Sequence, residues 1–190
     1  MAKAEYRSSI RSKNAIKKAV AKLIHEKALE KITVSDIIRE ADISRGTFYA
    51  HYSDVDSVLE QIEGEELKVL MEYVDSFGLE NILTDVTSLF EQICNYMSRD
   101  IEYYRMLAQS NVLNNFLWRL VEVYYDKLLD LAMTQRRATN REKANIYLIY
   151  VTSGAKSTIL AWLNGTLKGT PKEIAEITGD LVKLNMKYYA

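Results

Sequence analysis

The amino-acid sequence predicts an all-α protein of about nine helices, and three observations support this fold class. The 190 residues include one proline and seven glycines, too few for the many turns of a β or α/β fold. Apolar residues make up 48% and charged residues 27% of the chain, so it can build a core without cross-links. Apolar residues also recur at helical spacing, as in Ile16, Val20, Leu23 and Ile24.

The counts of other residue types exclude several classes of protein. A single cysteine, Cys94, cannot form an intramolecular disulfide, and with two histidines it leaves too few ligands for a Cys/His zinc site. The N-terminus is charged throughout, and no uninterrupted apolar run approaches the roughly 18 residues that span a bilayer. We therefore expect a cytoplasmic protein without membrane contact, metal or cofactor.

Charge is distributed unevenly along the chain. Residues 1–52 hold 11 Lys and Arg against 6 Asp and Glu, whereas residues 53–190 hold 14 against 20. A basic N-terminal quarter predicts contact with a polyanion, and the acidic remainder indicates a different task.

The first helix contains Ile16 and is preceded by Ser9 and Ser12 as candidate N-caps. Its opposite face is either solvated or turned toward phosphate, and it holds Arg11, Lys13, Lys17, Lys18 and Lys22.

Two short helices follow the first. Thr33, with Asp36 three residues later, predicts a capping box for the second helix, and Ser44 predicts the N-cap of a third helix over residues 45–52. Ile37, Ile43 and Phe48 are spaced to face the first helix and form a core. Two short helices joined by a tight turn outline a helix-turn-helix.

The remaining elements are one long helix and five more. Ser53 with Asp56 predicts the cap of a fourth helix over residues 54–76, which joins the two parts of the chain. Pro171 suits the first turn of the last helix. The five further helices are predicted at residues 81–98, 101–109, 112–136, 141–167 and 171–189.

Residues 33–59, TVSDIIREADISRGTFYAHYSDVDSVL, resemble the helix-turn-helix of the TetR family of transcriptional regulators, and SRGTFYAHY at 44–52 is the most specific part. The resemblance implies a DNA-binding domain at residues 8–68, with its motif at about 33–52. It also implies a helical ligand-binding and dimerisation domain at residues 69–190.

Candidate DNA-binding residues lie mainly on the third helix. Arg45 and Thr47 project from its first turn, where Arg45 can bond guanine or touch phosphate only. Gly46 allows a close backbone approach, or is merely tolerated. By resemblance Tyr49 reaches a phosphate, whereas His51 does so or packs against the fourth helix. The full set is Thr33, Ser35, Ser44, Arg45, Gly46, Thr47, Tyr49, His51, Lys13 and Lys17.

The motif departs from the family pattern at three places. Asp42 replaces the turn glycine, which Asp tolerates because it visits left-handed backbone. Tyr52 replaces the usual Phe. Ser53 and Val55 replace lysines at the start of the fourth helix, so phosphate contact should depend more on the arm at residues 3–18.

The segment at residues 150–181 is similar to the C-terminal subtype common in regulators of Gram-positive bacteria. Apolar stripes with small residues predict a four-helix bundle between two subunits, or a buried pair within one subunit. The candidate interface residues are Leu148, Val151, Gly154, Ala155, Ile159, Trp162, Ile174, Ile177, Leu181 and Leu184.

Aromatic residues are frequent in the middle of the chain, which has 13 tyrosines in all. They either line an apolar cavity for an effector or pack as ordinary helix contacts. The candidate pocket residues are Tyr73, Phe77, Phe90, Tyr96, Met97, Tyr103, Met106, Phe116 and Trp118.

These features and the resemblance predict a homodimeric, sequence-specific regulator that binds a palindromic double-stranded DNA operator. The resemblance further implies a repressor released by a small-molecule effector. The alternative is a helical protein of the same fold that acts with a protein co-regulator or as an activator, with weak or no independent DNA reading. An enzyme is disfavoured because no nucleophile, base and orienting residue recur at a readable spacing, so no catalytic residue is assigned.

Overall fold

A computed structural model of the chain describes residues 2–109, 111–135 and 139–186, without the side chains of residues 2–7, 111 and 185–186. Nine α-helices and a short 3-10 turn at Leu29–Lys31 make up the regular structure in these ranges. The predicted helix ends at residues 136 and 189, and the side chains at the start of the basic arm, lie outside the described part. The helices are α1 (Ala2–Glu26), α2 (Val34–Glu40), α3 (Arg45–Tyr49), α4 (Val55–Phe77), α5 (Leu79–Ser98), α6 (Ile101–Ala108), α7 (Asn111–Thr134), α8 (Arg141–Leu163) and α9 (Pro171–Met186).

Local capping residues begin the two short helices as predicted. Thr33 and Asp36 form a reciprocal capping box at the start of α2, and the Ser44 hydroxyl accepts from the backbone N–H of Thr47 at the start of α3. Between them Asp42 has φ of 51°, the left-handed conformation expected where the family carries glycine. The helix-turn-helix is therefore built by interactions within a few residues.

Four predicted boundaries are wrong. Helix α3 ends at Tyr49 rather than at residue 52. Helix α1 begins at Ala2, so Ser12 lies inside it and its hydroxyl bonds to the Ser8 and Ser9 carbonyl oxygens. The N-cap of α4 is Asp54, one residue later than predicted, because its carboxylate accepts from the Ser57 N–H. Helix α8 ends at Leu163 rather than at residue 167.

Helix α5 was predicted as one continuous helix, but its backbone is non-helical at Asp85, with φ of −142° and ψ of 56°. The Asp85 carboxylate accepts from the hydroxyl of Ser88 at 2.6 Å and from its N–H at 3.3 Å. Asp85 therefore acts as an internal cap that begins a new helical direction.

One continuous core joins the helix-turn-helix to the C-terminal part. Ile16, Ile37 and Phe48 are fully buried where α1, α2 and α3 meet, whereas Ile43 is only half-buried. The same core runs along α4 into the helices that follow it. Helix α4 packs on α5 and α7, α1 also packs on α6, and α5 lies along α9. The helix-turn-helix is thereby tied to the C-terminal part through both α4 and α6.

Helix α8 is apolar on two sides, and by length and composition alone it meets the requirement for a membrane span. Buried core helices meet the same requirement, and one side of α8 lies inside the subunit: Val151, Ala155 and Ile159 are buried. Ile146, Ile149 and Tyr150 are exposed on the other side. The two apolar faces account for the composition of this helix.

Candidate DNA interface and effector cavity

Helix α3 presents a polar, exposed surface and buries only one side chain. Phe48 is fully buried, whereas Arg45, Gly46 and Tyr49 are exposed. The Arg45 guanidinium donates a hydrogen bond of 3.0 Å to the hydroxyl of Ser35 on α2. This contact holds Arg45 beside the N-terminal turns of both helices, where free N–H groups favour an anion.

The other candidate hydroxyls of this surface are engaged locally. The Ser44 and Thr47 hydroxyl oxygens lie 2.8 Å apart, and the Thr33 hydroxyl donates to the Asp36 carboxylate at 2.7 Å. Hydrogen bonds from Lys27 and Thr33 hold the pKa of Asp36 well below its usual range. Asp36 is therefore a fixed negative charge that anchors the start of α2.

Two tyrosines of the motif have opposite environments. Tyr49 is 51% exposed and its ring meets the edge of Phe48, with 5.4 Å between the centroids. Tyr52 is buried, and its hydroxyl has no hydrogen-bond partner within the described residues. Burial raises the pKa of Tyr52 to about 12. Only Tyr49 can offer its hydroxyl to a ligand outside the chain.

His51 is half-buried, and its Nε2 atom lies 2.8 Å from the Ser12 hydroxyl on α1. Sequence reasoning left open a phosphate contact or packing beside α4. The contact with α1 was not predicted, since 39 residues separate the two side chains.

Three of the five lysine and arginine side chains that the structure describes on α1 form ion pairs within the chain. Lys17 pairs with Glu65 on α4, and Lys18 lies 3.1 Å from Asp100. Lys22 lies 2.6 Å from Glu40. The structure therefore places Lys17, a candidate DNA contact, in the packing of α1 on α4. In the described part of the chain Arg11 and Lys13 form no ion pair, so they are the cations of α1 that remain available.

The residues of the candidate dimer surface have different environments in the structure, and some are buried while others are exposed. Half of the predicted set is buried inside the subunit: Val151, Ala155, Ile159, Trp162 and Ile174. This part of the prediction is wrong, because the four residues on α8 pack against neighbouring helices of the same subunit and Ile174 on α9 belongs to the main core. Leu148 lines the cavity described below. Gly154, Ile177, Leu181 and Leu184 are exposed.

Three large apolar residues of α8 that were not predicted share this outer face, namely Ile146, Ile149 and Tyr150. Their spacing of three and four residues indicates one face of a helix and could have identified this surface. The opposite stripe of α8 is equally apolar, so the sequence does not show which of the two is exposed. A Cβ atom added at Gly154 would meet no heavy atom within 4 Å, so the outer face of α8 is open there.

An apolar cavity of about 200 Å³ lies in the C-terminal part, between α4, α5, α7, α8 and α9. Val74, Val86, Phe90, Leu120 and Val151 are among its lining residues. Phe90 is the one predicted pocket residue that the structure brings to this cavity.

The other eight predicted pocket residues pack elsewhere. Met97 and Phe116 are fully buried in the core, and Tyr73, Phe77 and Met106 are half-buried against it. Tyr96 and Tyr103 line a separate polar cavity beside Glu66. Trp118 is 39% exposed on α7. For these residues the alternative of ordinary helix packing describes the structure better.

The buried carboxylate of Glu66 explains part of the tyrosine content. Its Oε2 atom accepts hydrogen bonds from Tyr96 at 3.0 Å and from Tyr104 at 2.5 Å. Burial, followed by the charge of Glu66, raises the pKa of Tyr104. These bonds join α4 to α5 and α6.

Three tyrosines outside the candidate pocket set line the cavity: Tyr124, Tyr125 and Tyr147. The Tyr124 hydroxyl donates to the Asp75 carboxylate at 2.7 Å and to the Met71 carbonyl oxygen at 3.2 Å. Both acceptors are on α4, so Tyr124 connects the wall of the cavity with the helix that leads to the helix-turn-helix.

The described residues contain no cluster of His, Cys, Asp and Glu that could hold a metal ion. Cys94 is buried, and burial raises the pKa of its thiol to about 12. The thiol is therefore protonated near neutral pH and is a poor nucleophile.

A capped helix-turn-helix with an exposed second helix, joined to further helices with an internal cavity, is the arrangement of a transcriptional regulator. Residues 16–62 match the profile of the bacterial regulatory proteins of the tetR family. Residues 84–184, more than half of the chain, match the profile of a transcriptional regulator C-terminal region of the TetR type. The chain belongs to the TetR family of transcriptional regulators, which are not enzymes, and the predicted family and fold are confirmed.

Individual relatives agree with this assignment. The HTH-type dhaKLM operon transcriptional activator DhaS of Lactococcus lactis is 26% identical over 119 residues, which are 59% of this chain. The match spans 64% of that relative's length.

Solved structures share the fold at low identity. A TetR-family transcriptional regulator from Syntrophomonas wolfei has a TM-score of 0.66 at 18% identity, covering 93% of this chain and 95% of that one. A TetR transcriptional regulator from Streptococcus agalactiae has a TM-score of 0.59 at 21% identity, covering 96% and 99%.

Proposed function

We propose that this regulator binds a palindromic DNA operator as a homodimer and represses transcription until a small molecule occupies its C-terminal cavity. The observation that carries the proposal is the exposed surface of α3, which presents Arg45, Gly46 and Tyr49, with Arg45 hydrogen-bonded to Ser35 of α2. We assign DNA binding to residues 8–68 and effector binding with dimerisation to residues 69–190. The two family matches fall within these ranges.

The DNA contacts follow from the chemistry of this surface. Arg45 is suited to a bidentate pair with guanine in the major groove, worth about 1–3 kcal/mol of discrimination. Gly46 allows the α3 backbone to approach the DNA, and the Tyr49 hydroxyl bonds a phosphate. Arg11 and Lys13 supply further phosphate contacts, which set register but read no sequence.

Dimerisation is supported by the outer face of α8 and α9. Tyr150 is 68% exposed and Ile177 is 59% exposed, together with Ile146, Leu181 and Leu184. Such a contiguous apolar face on a soluble protein marks an interaction surface. A two-fold pair of these helices gives a four-helix bundle and sets two recognition helices for the two halves of a palindrome.

Effector control is supported by the position of Tyr124. Its ring lines the cavity and its hydroxyl bonds Asp75 and Met71 on α4. A ligand that moves α7 shifts α4 through this contact and changes the spacing of the two α3 helices. The result is a population shift between DNA-competent and DNA-incompetent states.

The experiment is selection of bound duplexes from a random DNA pool by the purified protein. We expect an enriched palindrome, bound with a steep salt dependence. Arg45→Ala should lose discrimination at one base position per half-site. Arg105→Ala, an exposed arginine on α6 that pairs with Glu102, is the matched control and should bind like the parent. A pool without enrichment contradicts sequence-specific binding.

A second candidate function is activation, with or without a protein co-regulator. It is favoured by the relative DhaS, which is named a transcriptional activator. Ser53 and Val55 also stand where the family carries phosphate-binding lysines, and the neighbouring Asp54 and Asp56 are acidic. In vitro transcription from a promoter with the selected site distinguishes the two, because added protein lowers the transcript level for a repressor and raises it for an activator.

A further inference from the structure

The cavity carries one charged side chain among its described lining residues, Lys156 on α8. This lysine is half-buried, and its ammonium lies 4.4 Å from the centroid of the Trp118 ring on α7. The cation–π contact holds the ammonium beside the apolar wall. In the described part of the chain no carboxylate pairs with Lys156, although the C-terminal part is acidic overall.

The hydroxyl groups of the cavity wall are already engaged as donors. A ligand group that needs a hydrogen-bond donor therefore finds none among them, and the Lys156 ammonium is the donor that remains. The four hydroxyls belong to Tyr124, Tyr125, Tyr147 and Thr152, which donate to Asp75, Asn145 and the backbone carbonyl oxygens of Val182 and Leu148.

We propose that the cavity binds a small amphiphile with an apolar body and one anionic group, and that the Lys156 ammonium neutralises this group. The proposal rests on effector control as proposed above and names the class of effector. The volume of about 200 Å³ exceeds that of engineered apolar cavities of about 150 Å³ that bind benzene. The apolar wall selects the body of the ligand, and the Lys156 cation, which no carboxylate of the described residues neutralises, selects an anion over a neutral or cationic group.

The test compares three probes of equal chain length: octanoate, 1-octanol and octylammonium. Isothermal titration calorimetry with the full chain at pH 7.5 measures their dissociation constants. We expect the dissociation constant of octanoate to be lower than that of 1-octanol by about tenfold or more. A hydrogen bond to a charged group changes the affinity by this factor. Octylammonium should bind weakest.

Two lysine variants test whether Lys156 causes the preference for octanoate over 1-octanol. Lys156→Met keeps the length and apolar stem of the side chain, and it should bind octanoate and 1-octanol equally. Lys127→Met is the matched control, because the Lys127 ammonium also lies over an aromatic ring, 5.5 Å from the Tyr124 centroid, but does not line the cavity. It should keep the preference of the parent.

Val86→Phe, which fills part of the cavity, should bind none of the probes while its circular dichroism matches the parent. The proposal is overturned by equal affinity of the parent for octanoate and 1-octanol, by a preference that survives in Lys156→Met, by binding that survives in Val86→Phe, or by no binding at all.

The affinity for the selected duplex with and without octanoate separates this proposal from the proposed function. Octanoate that binds through Lys156 and releases DNA supports both. Octanoate that binds through Lys156 without changing DNA affinity supports the ligand class and contradicts effector control.

Discussion

The His51 imidazole and the Ser12 hydroxyl join the end of the helix-turn-helix to α1, with 2.8 Å between Nε2 and Oγ. The Ser12 oxygen also lies 3.0 Å from the Ser8 carbonyl oxygen. A hydroxyl has one proton, so Ser12 accepts from the His51 Nε2–H when it donates to its own helix. The contact fixes α1, and with it Arg11 and Lys13, relative to α3.

We expect Ser12→Ala and His51→Ala each to lower the free energy of unfolding by about 1 kcal/mol, the usual net contribution of a hydrogen bond. The double variant should lose little more than the larger single loss, because both variants remove the same contact. Chemical denaturation of the four proteins measures this. Additive losses would show that the contact contributes no energy. A drop in DNA affinity confined to His51→Ala would assign the imidazole a phosphate contact as well.

Gly46→Ala should separate stability from DNA binding. The added Cβ would lie 3.7 Å from the Ser44 hydroxyl, an ordinary contact, so better helix propensity should raise stability by up to about 1 kcal/mol. The same methyl group projects from α3, and affinity for the selected duplex should fall.

The control is Gly64→Ala on α4, where a Cβ meets no heavy atom within 4 Å. It should raise the melting temperature without changing DNA affinity. If Gly46→Ala also binds DNA like the parent, the proposal that the α3 backbone closely approaches the DNA at Gly46 is wrong.

Tyr52→Phe should stabilise the protein. The buried Tyr52 hydroxyl has no partner in the described part of the chain, and an unsatisfied buried polar group costs about 1–3 kcal/mol. We expect the free energy of unfolding to rise by about 1 kcal/mol, measured by urea titration. Tyr104→Phe is the matched control with the opposite expected sign, because its hydroxyl donates to buried Glu66. Destabilisation by Tyr52→Phe would indicate a partner such as a buried water.

Dimerisation should depend on the outer face of α9. Ile177→Glu combined with Leu181→Glu places two charges on an exposed apolar surface, and charge there opposes association. Light scattering coupled to size exclusion should give a monomer with unchanged helicity. Val123→Glu changes a residue of similar character on α7, 41% exposed, and should remain a dimer. A dimer in the double variant would show that the interface does not depend on this face of α9.

Asp36 should make stability fall in acid. Its pKa is lowered from the ordinary value of 3.8 by Lys27 and Thr33, so its contribution is present above that value and is lost as pH falls from there toward the folded pKa. The parent should lose stability as the pH falls from about 4 toward 2, and Asp36→Asn should lose less. Melting temperatures across this range measure the effect. Asp126→Asn, an exposed acid on α7, should follow the parent, and identical curves for all three proteins would contradict the role of Asp36.

The helix-turn-helix could be predicted from sequence because its structure depends on near neighbours. Thr33 with Asp36, Ser44 with the Thr47 N–H, and the left-handed turn at Asp42 are all settled within three or four residues. The exposed and buried sides of α3 follow from the same short segment. Predicted helix boundaries were wrong where a helix continues through a residue that is able to cap it, as α1 does through Ser12.

By itself the sequence determined the helical class, the order of the helices and the recognition motif, because caps and periodicity act locally. The tertiary structure alone decided which stripe of α8 lies inside and which tyrosines meet the cavity. Helix α8 is apolar on two sides, so periodicity contains no information about which side packs against α7 and α9. From the sequence, Tyr124 and Tyr96 are equally plausible as pocket residues. Their hydroxyls bond Asp75 and Glu66, which are distant in sequence and become neighbours only when α4 packs against the other helices.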